Sequence, residues 1–374
     1  MYARATIHDF LGDFVVYRNL EPADSRLHGL RAVWSKISRS ACRIPRKVEE
    51  DYAAVVVDFL VQAQALRGAK RSLAHLLYIG DTRLLDGTAY HNLKKKSGWP
   101  GWGFIAAEKQ EDKPGVEIED DIYLANRWGA LSQFLEFVQD EGIPLDETTV
   151  AIIDLDKTVL GARGRNDKVI DEARLSGVRR TMQEVLQADF DEQKFRAAYS
   201  RLNQPAYHHF TADNQDYLAY ICLMVTGGIY DEEELWADLE AGKLDRFATF
   251  VEACNRRMGT EQGGLLAVHR EVYGNWRSGD PTPFKSFRRR EYFETINRMD
   301  LLADDAGQEL VLKSEIVLTG EVAAAACYLQ ERGVLCFGIS DKPDEASLPT
   351  PELAAEGWPA LHHARMKVLS GQKA

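Results

Sequence analysis

Two aspartates two residues apart follow an apolar run: Val150-Ala151-Ile152-Ile153 opens into Asp154-Leu155-Asp156-Lys157-Thr158. A carboxylate can attack phosphorus and form an acyl-phosphate. A second carboxylate beside it can protonate the leaving oxygen and later deprotonate water. Asp154 is the candidate nucleophile and Asp156 the candidate acid and base. A surface turn could carry the same letters, but the apolar run before them argues for a buried strand ending in a loop. Gly80-Asp81-Thr82-Arg83-Leu84-Leu85-Asp86 repeats this grammar after His75-Leu76-Leu77-Tyr78-Ile79. Magnesium takes oxygen ligands, commonly one or two carboxylates together with a substrate phosphate.

The elements that must position these groups can be read from periodicity. Thr149–Asp154 is apolar on both faces, as a strand of a covered parallel sheet is, and ligands bind at the carboxyl edge of such sheets. His75–Ile79, Trp102–Ala107 and Val334–Ile339 read as further short strands. Tyr52, Val55, Val56, Phe59, Leu60 and Ala63 recur at helical spacing. Helices are also expected over Ala125–Glu141 and over Glu321–Arg332, the latter closed by Gly333. Residues 108–120 read as an acidic surface loop. Residues 159–315 are helix-like and lack the strand-to-loop grammar, which returns after Leu318. The expected architecture is therefore an α/β doubly wound parallel sheet interrupted by a helical insert.

The chain has 374 residues and a formal net charge of -12. That charge argues against a general nucleic-acid or anionic-membrane partner, which calls for a broad basic face. The five cysteines are scattered, with no C-x-x-C pair, so neither a disulfide framework nor a zinc site is expected of them. Met1-Tyr2-Ala3-Arg4 leads into no apolar run of signal-peptide length, and the stretch 217–227 is shorter than the ~20 residues of a membrane span. A cytoplasmic enzyme is the expectation.

With these motifs in hand, the chain resembles the haloacid dehalogenase superfamily over about 45–160 and 316–345. The first family motif, D-x-D-x-T, falls on Asp154, Asp156 and Thr158. The second, a hydroxyl ending an apolar strand, falls on Ser340 in C-F-G-I-S-D-K-P, with Thr319 in E-I-V-L-T-G-E as the rival. The third, a lysine at a helix start, falls on Lys47 in P-R-K-V-E-E-D-Y, with Lys342 as the alternative. The fourth, G-D-x-x-x-x-D, falls on Asp81 and Asp86. The resemblance implies a three-layer Rossmann-like core with a large, mostly α-helical cap. Core segments would be 1–158 and 316–374, and the cap 159–315. It implies Mg2+ held by Asp154, Asp156, Asp81 and Asp86, and phosphate bound by Ser340, Lys47 and Thr158. The order departs from the family: third, fourth, first, insert, second. That is a circular permutation cut between the second and third motifs.

The expected activity is hydrolysis of a small phosphomonoester, since Asp156 supplies the acid that an oxygen leaving group needs. Transfer of the phosphoryl group to another acceptor, or a binding protein that keeps the fold without turnover, are the alternatives. Arg163 and Arg165 are candidates to meet an anionic substrate. Arg288-Arg289-Arg290 is more simply a solvated helix face. His208-His209 and His362-His363 are assigned no site, because neighbouring side chains diverge and no third ligand is spaced to help.

Overall fold

The computed structural model describes residues 1–38, 40–109, 111–260 and 263–371. They form a mixed α/β protein with a mostly parallel seven-stranded sheet. The strands are β1 (Arg4–Ala5), β2 (Val15–Val16), β3 (His75–Gly80), β4 (Gly101–Ala106), β5 (Val116–Glu119), β6 (Ile122–Ala125), β7 (Thr149–Asp154), β8 (Leu318–Thr319), β9 (Leu335–Ile339) and β10 (Met366–Leu369). The large sheet runs β2-β9-β7-β3-β4-β6-β5, and a small one runs β1-β10-β8. In the large sheet only β5 is antiparallel to its neighbour.

All six residues of β7 are buried, so no polar alternation interrupts its sequence, as the apolar run anticipates. Its partners β3 and β9 are nearly as apolar. A methyl group on Gly101 would lie 1.8 Å from the Leu76 carbonyl oxygen, so only glycine lets β4 approach β3 at that point. The helix Glu50–Leu66 buries Tyr52, Val55, Val56, Phe59, Leu60 and Ala63 in a cluster with Tyr78, Ile152 and Phe337.

Two expectations are corrected. The acidic stretch 108–120 contains β5, and the helix expected over Ala125–Glu141 begins only at Trp128 as a single 3-10 turn and runs as α-helix over Leu131–Asp140. Residues 122–125 are β6 instead. β5 and β6 are joined by Asp120-Asp121, both at positive φ (48° and 61°), the two-residue turn whose twist suits a hairpin.

The chain forms two compact units, 1–172 with 295–374, and 173–294. Residues 159–161 belong to the first because Thr319 N–H donates to Val159 and Gly161 N–H to Val317. Asn166 ties the following turn to Leu312, Glu315 and Val317. The second unit is helical, with its own apolar cluster around Leu218–Val225, Phe247 and Phe250. Arg288 is buried there, donating to Asp216 (2.6 and 2.9 Å) and Glu291 (2.6 Å). It belongs to an internal ion network rather than to the solvated face expected of the arginine run. Arg290 meets Glu184, and Arg289 stacks on Tyr292. Among the described residues, no helix is long and apolar enough to cross a membrane.

Candidate active site

Sheet register carries the sequence-predicted residues to one edge. Asp154 ends β7 and pairs with Ile339 of β9, while Ile153 pairs with Ile79 of β3. Asp81 and Ser340 therefore each stand one residue beyond the level of Asp154, on the two strands that flank it. Leu155 N–H donates to the Ile339 carbonyl at 3.0 Å, so the loop after Asp154 stays joined to the strand that delivers Ser340.

Lys47 arrives from a turn ahead of the helix Glu50–Leu66. Glu49 N–H donates to the Arg46 carbonyl, and Glu49 Oε1 accepts the Arg46 N–H. Asn92 holds the Val48 carbonyl. From this turn Lys47 Nζ, buried, donates to Asp154 Oδ1 at 2.6 Å and to Asp86 Oδ1 at 2.5 Å.

Asp86 lies in the first turn of the helix Leu85–Ser97 and is 1% exposed. Besides Lys47, its oxygens accept Tyr78 O–H (2.8 Å), Asp81 N–H (3.1 Å), and both N–H and O–H of Thr82 (2.8 Å each). The glycine of the G-D-x-x-x-x-D pattern has a local cause here. A methyl group on Gly80 would fall 2.6 Å from the Asp86 carboxyl carbon, so glycine lets the carboxylate fold back under its own loop. Burial pushes the Asp86 carboxyl up, but Lys47 and these donors hold it well below the ordinary range.

Asp81 and Asp154 are each opposed by one cation, which does not offset their burial. One oxygen from each of Asp81, Asp86 and Asp154 lies within 4.8 Å of the other two. Burial, then the charges of Asp154 and Asp86, push Asp81 up to about 8 against the pull of Arg163. Burial pushes Asp154 up to about 7, with Asp86 and Asp156 adding to it and Lys47 opposing. Arg163 Nε donates to Asp81 Oδ2. Its backbone is fixed by Glu108 N–H and Trp128 Nε1 on its carbonyl and by the Lys157 carbonyl on its N–H.

The loop after Asp154 is tight: Leu160 N–H reaches back to the Leu155 carbonyl at 2.8 Å, and Lys157 adopts φ of 64°, an uncommon conformation for a residue with a side chain. Asp156 is half-buried on this loop. Thr158 is fully buried and its hydroxyl has no protein partner. Ser340, 2% exposed, accepts the Lys342 N–H on its hydroxyl oxygen at 3.1 Å, which leaves its O–H to donate. Thr319 instead ends β8 in the small sheet. Lys342 is buried two residues past Ser340. Arg165 is bound to Glu108 and Glu321 and is 4% exposed, which makes it a structural tie.

Sequence reasoning missed two participants. Tyr78 reads as an ordinary strand aromatic but donates to Asp86. Tyr52 lies in the apolar stripe of its helix, yet its buried hydroxyl has no partner. Burial first, then the charges of Asp341, Asp154 and Asp86, raise that phenol against the pull of Lys47. No letter pattern separates these tyrosines from core ones.

The donor set contains only carboxylate and hydroxyl oxygens, which suits a hard divalent cation such as Mg2+. Two carboxyls driven up by burial and by neighbouring carboxylates are those that added positive charge would return to the ionised state. Compared with protein-family models, with curated proteins and with solved structures, the chain matches none.

Proposed function

We propose that this protein is a Mg2+-dependent phosphatase of the haloacid dehalogenase type, circularly permuted, that hydrolyses a small phosphomonoester through an aspartyl-phosphate on Asp154. The observation that carries the reading is the buried Asp154 carboxylate at the carboxyl edge of β7, 2.6 Å from Lys47 Nζ and clustered with Asp81. The position of β7 between β9 and β3 supports a three-layer Rossmann-like core. The helical unit 173–294, which follows the first motif and precedes the second in sequence, is read as the cap.

In this mechanism an oxygen of Asp154 attacks phosphorus, the phosphorus–oxygen bond to the alcohol breaks, and Asp156 gives its proton to the departing alkoxide. Asp156 then takes a proton from water, whose oxygen attacks the same phosphorus and releases Asp154 and inorganic phosphate. Lys47 orients Asp154 and offers positive charge to a phosphoryl oxygen. Thr158 and Ser340 offer hydroxyl donors. Mg2+, held by Asp154 and Asp81 with Asp156 beside them, would offset the repulsion between a phosphate dianion and the nucleophile. The oxygens of Asp86 already serve five donors, so its part is to hold Lys47 and the loop of Asp81 rather than to ligate directly.

The test is hydrolysis of an aryl phosphate with and without Mg2+. Activity should require Mg2+ and fall by at least about 10⁴-fold in Asp154→Asn. Turnover that persists in that variant sinks the nucleophile assignment. Labelled phosphate recovered in an added alcohol rather than in solution would make the enzyme a phosphotransferase.

A further inference from the structure

Three histidines and one aspartate converge far from Asp154 in sequence, on segments that the proposed phosphatase chemistry does not use. His8 begins a short helix, Asp13 follows it, and His362 and His363 close a 3-10 turn before β10. Pairing explains why they meet. β1 and β10 are antiparallel with Ala5 opposite Met366, and extending that register by three residues brings position 8 opposite position 363. Spacing along the sequence offers His362-His363 no third ligand; His8 and Asp13 arrive from the other end of the chain.

The Nε2 atoms of His363, His362 and His8 lie 2.8, 3.4 and 3.7 Å from the single oxygen Asp13 Oδ1. Ligands at about 2.0–2.1 Å from a tetrahedral ion stand roughly 3.3 Å apart, and His8, Asp13 and His363 offer atoms that all lie within 4.8 Å of one another. Hydrogen bonding alone accounts for them poorly: one carboxylate oxygen offers about two lone pairs, and three imidazole nitrogens crowd it. The rings stack edge-on, His8 on His363 at 4.6 Å and His362 on His363 at 4.4 Å between centroids.

A second observation is independent of that spacing. His362 is 2% exposed, and its other nitrogen, Nδ1, stands 3.1 Å from the hydroxyl of fully buried Tyr17. That contact fixes the ring and its tautomer, so that His362 Nε2 faces Asp13 behind the ligand group, as outer partners of metal ligands do. His8, Asp13 and His363 are each about 40–47% exposed on their side chains, so an ion can reach the fourth face from solvent.

We propose that His8, Asp13 and His363 bind a borderline divalent transition ion of the Zn2+ class, with His362, held by Tyr17, orienting Asp13 from behind at 3.4 Å. Nitrogen donors in the majority favour Zn2+ over Mg2+, so this site is chemically distinct from the all-oxygen cluster at Asp81 and Asp154. The ion would clamp the segment around residue 8 to the segment around residue 363, which β1 and β10 already pair.

The test is calorimetric titration of the full chain with Zn2+ in excess Mg2+. One Zn2+ per chain is expected in the wild type. His363→Ala should weaken binding by more than about 100-fold, the pair His8→Ala/His363→Ala should abolish it, and Tyr17→Phe should weaken it about 10–100-fold. Melting in chelator checks that the variants fold, and the half-exposed His8 and His363 should leave that midpoint unchanged. Absence of stoichiometric binding in the wild type overturns the proposal. So does binding that survives the double variant, which would place the ion on Cys42 or on the carboxylates. Neither result bears on phosphatase activity, which is not a readout here.

Discussion

Lys47→Met removes a side chain that joins Asp86 to Asp154, and its cost can be worked from the site. In the wild type the Asp86 carboxyl is held low, chiefly by Lys47 against burial. Its stabilising contribution is therefore complete above its unfolded-state value of about 4 and is lost only as the pH falls through the folded value. Without Lys47, burial governs, and a 1% exposed carboxylate must either stay charged without a cation or take up a proton. Holding that proton costs about 1.4 kcal/mol for each pH unit above about 4. The loss in the variant should be about 1–2 kcal/mol near pH 5 and about 4 kcal/mol greater near pH 8, an increment of the size found when one partner of a buried pair is removed. Urea unfolding at the two pH values measures it. Lys47→Met/Asp86→Asn, which removes the orphaned charge as well, should bring the pH dependence back toward that of the wild type. Equal losses at both pH values, or no loss, would refute the claim that Lys47 keeps Asp86 ionised.

Mg2+ should raise the thermal midpoint, by a free energy of about 2.7 kcal/mol at a hundred times its dissociation constant. The gain should be larger near pH 8 than near pH 6, because the proton on Asp81 and Asp154 competes with the ion below the values of about 8 and about 7 to which they are pushed. Without Mg2+, Asp81 contributes fully below about pH 4 and loses that contribution as the pH rises to its folded value of about 8, so Asp81→Asn should flatten the decline between about pH 4 and pH 8 and abolish the Mg2+ shift. A Mg2+ shift that survives Asp81→Asn would remove Asp81 from the ligand set. In the helical unit, Arg288→Met leaves Asp216 buried without its cation and Glu291 with Arg174 in place of two arginines, and should cost about 3–5 kcal/mol by denaturant unfolding. A change within about 0.5 kcal/mol would instead mark Arg288 as a surface residue.

The strands that carry the site were legible because each is an apolar run ended by a polar loop: β3, β7 and β9 are buried along nearly their whole length. β5 was hidden because Val116-Glu117-Ile118-Glu119 is an exposed edge strand with charges at alternate positions, and its Asp120-Asp121 turn lacks the glycine that usually announces such a hairpin. β6 went unread but for its last residue, Ala125, which falls within the expected helix because Trp128, Leu131 and Leu135 continue at helical spacing just beyond it. β1, β2 and β8 are two residues long, shorter than any periodicity can register. Within the site, residue types gave Asp81 and Asp86 one shared role. Only the donors around Asp86 separate them, and hydrogen-bond saturation leaves no trace in spacing. Arg163 was picked out for a substrate and is found on Asp81. The histidines near 8 and 363 could not be joined without the β1–β10 register.

The register of the large sheet also explains how the site would tolerate the proposed circular permutation. Asp154, Asp81 and Ser340 are delivered by three adjacent parallel strands, and the pairings Ile79 with Ile153 and Ile339 with Asp154 set their heights. Nothing in this arrangement depends on which strand comes first along the chain, so a cut between β9 and β2, themselves neighbours in the sheet, leaves every height intact. What the arrangement cannot tolerate is a slip, because a one-residue shift of a strand turns its side chains to the opposite face. A slip of β3 would withdraw Asp81 and also bring Gly80 and Asp86 out of their close fit. The burial of all six β7 residues and the glycine contacts at positions 80 and 101 are therefore part of the chemistry: they fix the register that places Asp154 beside Lys47 and Asp81 beside Arg163.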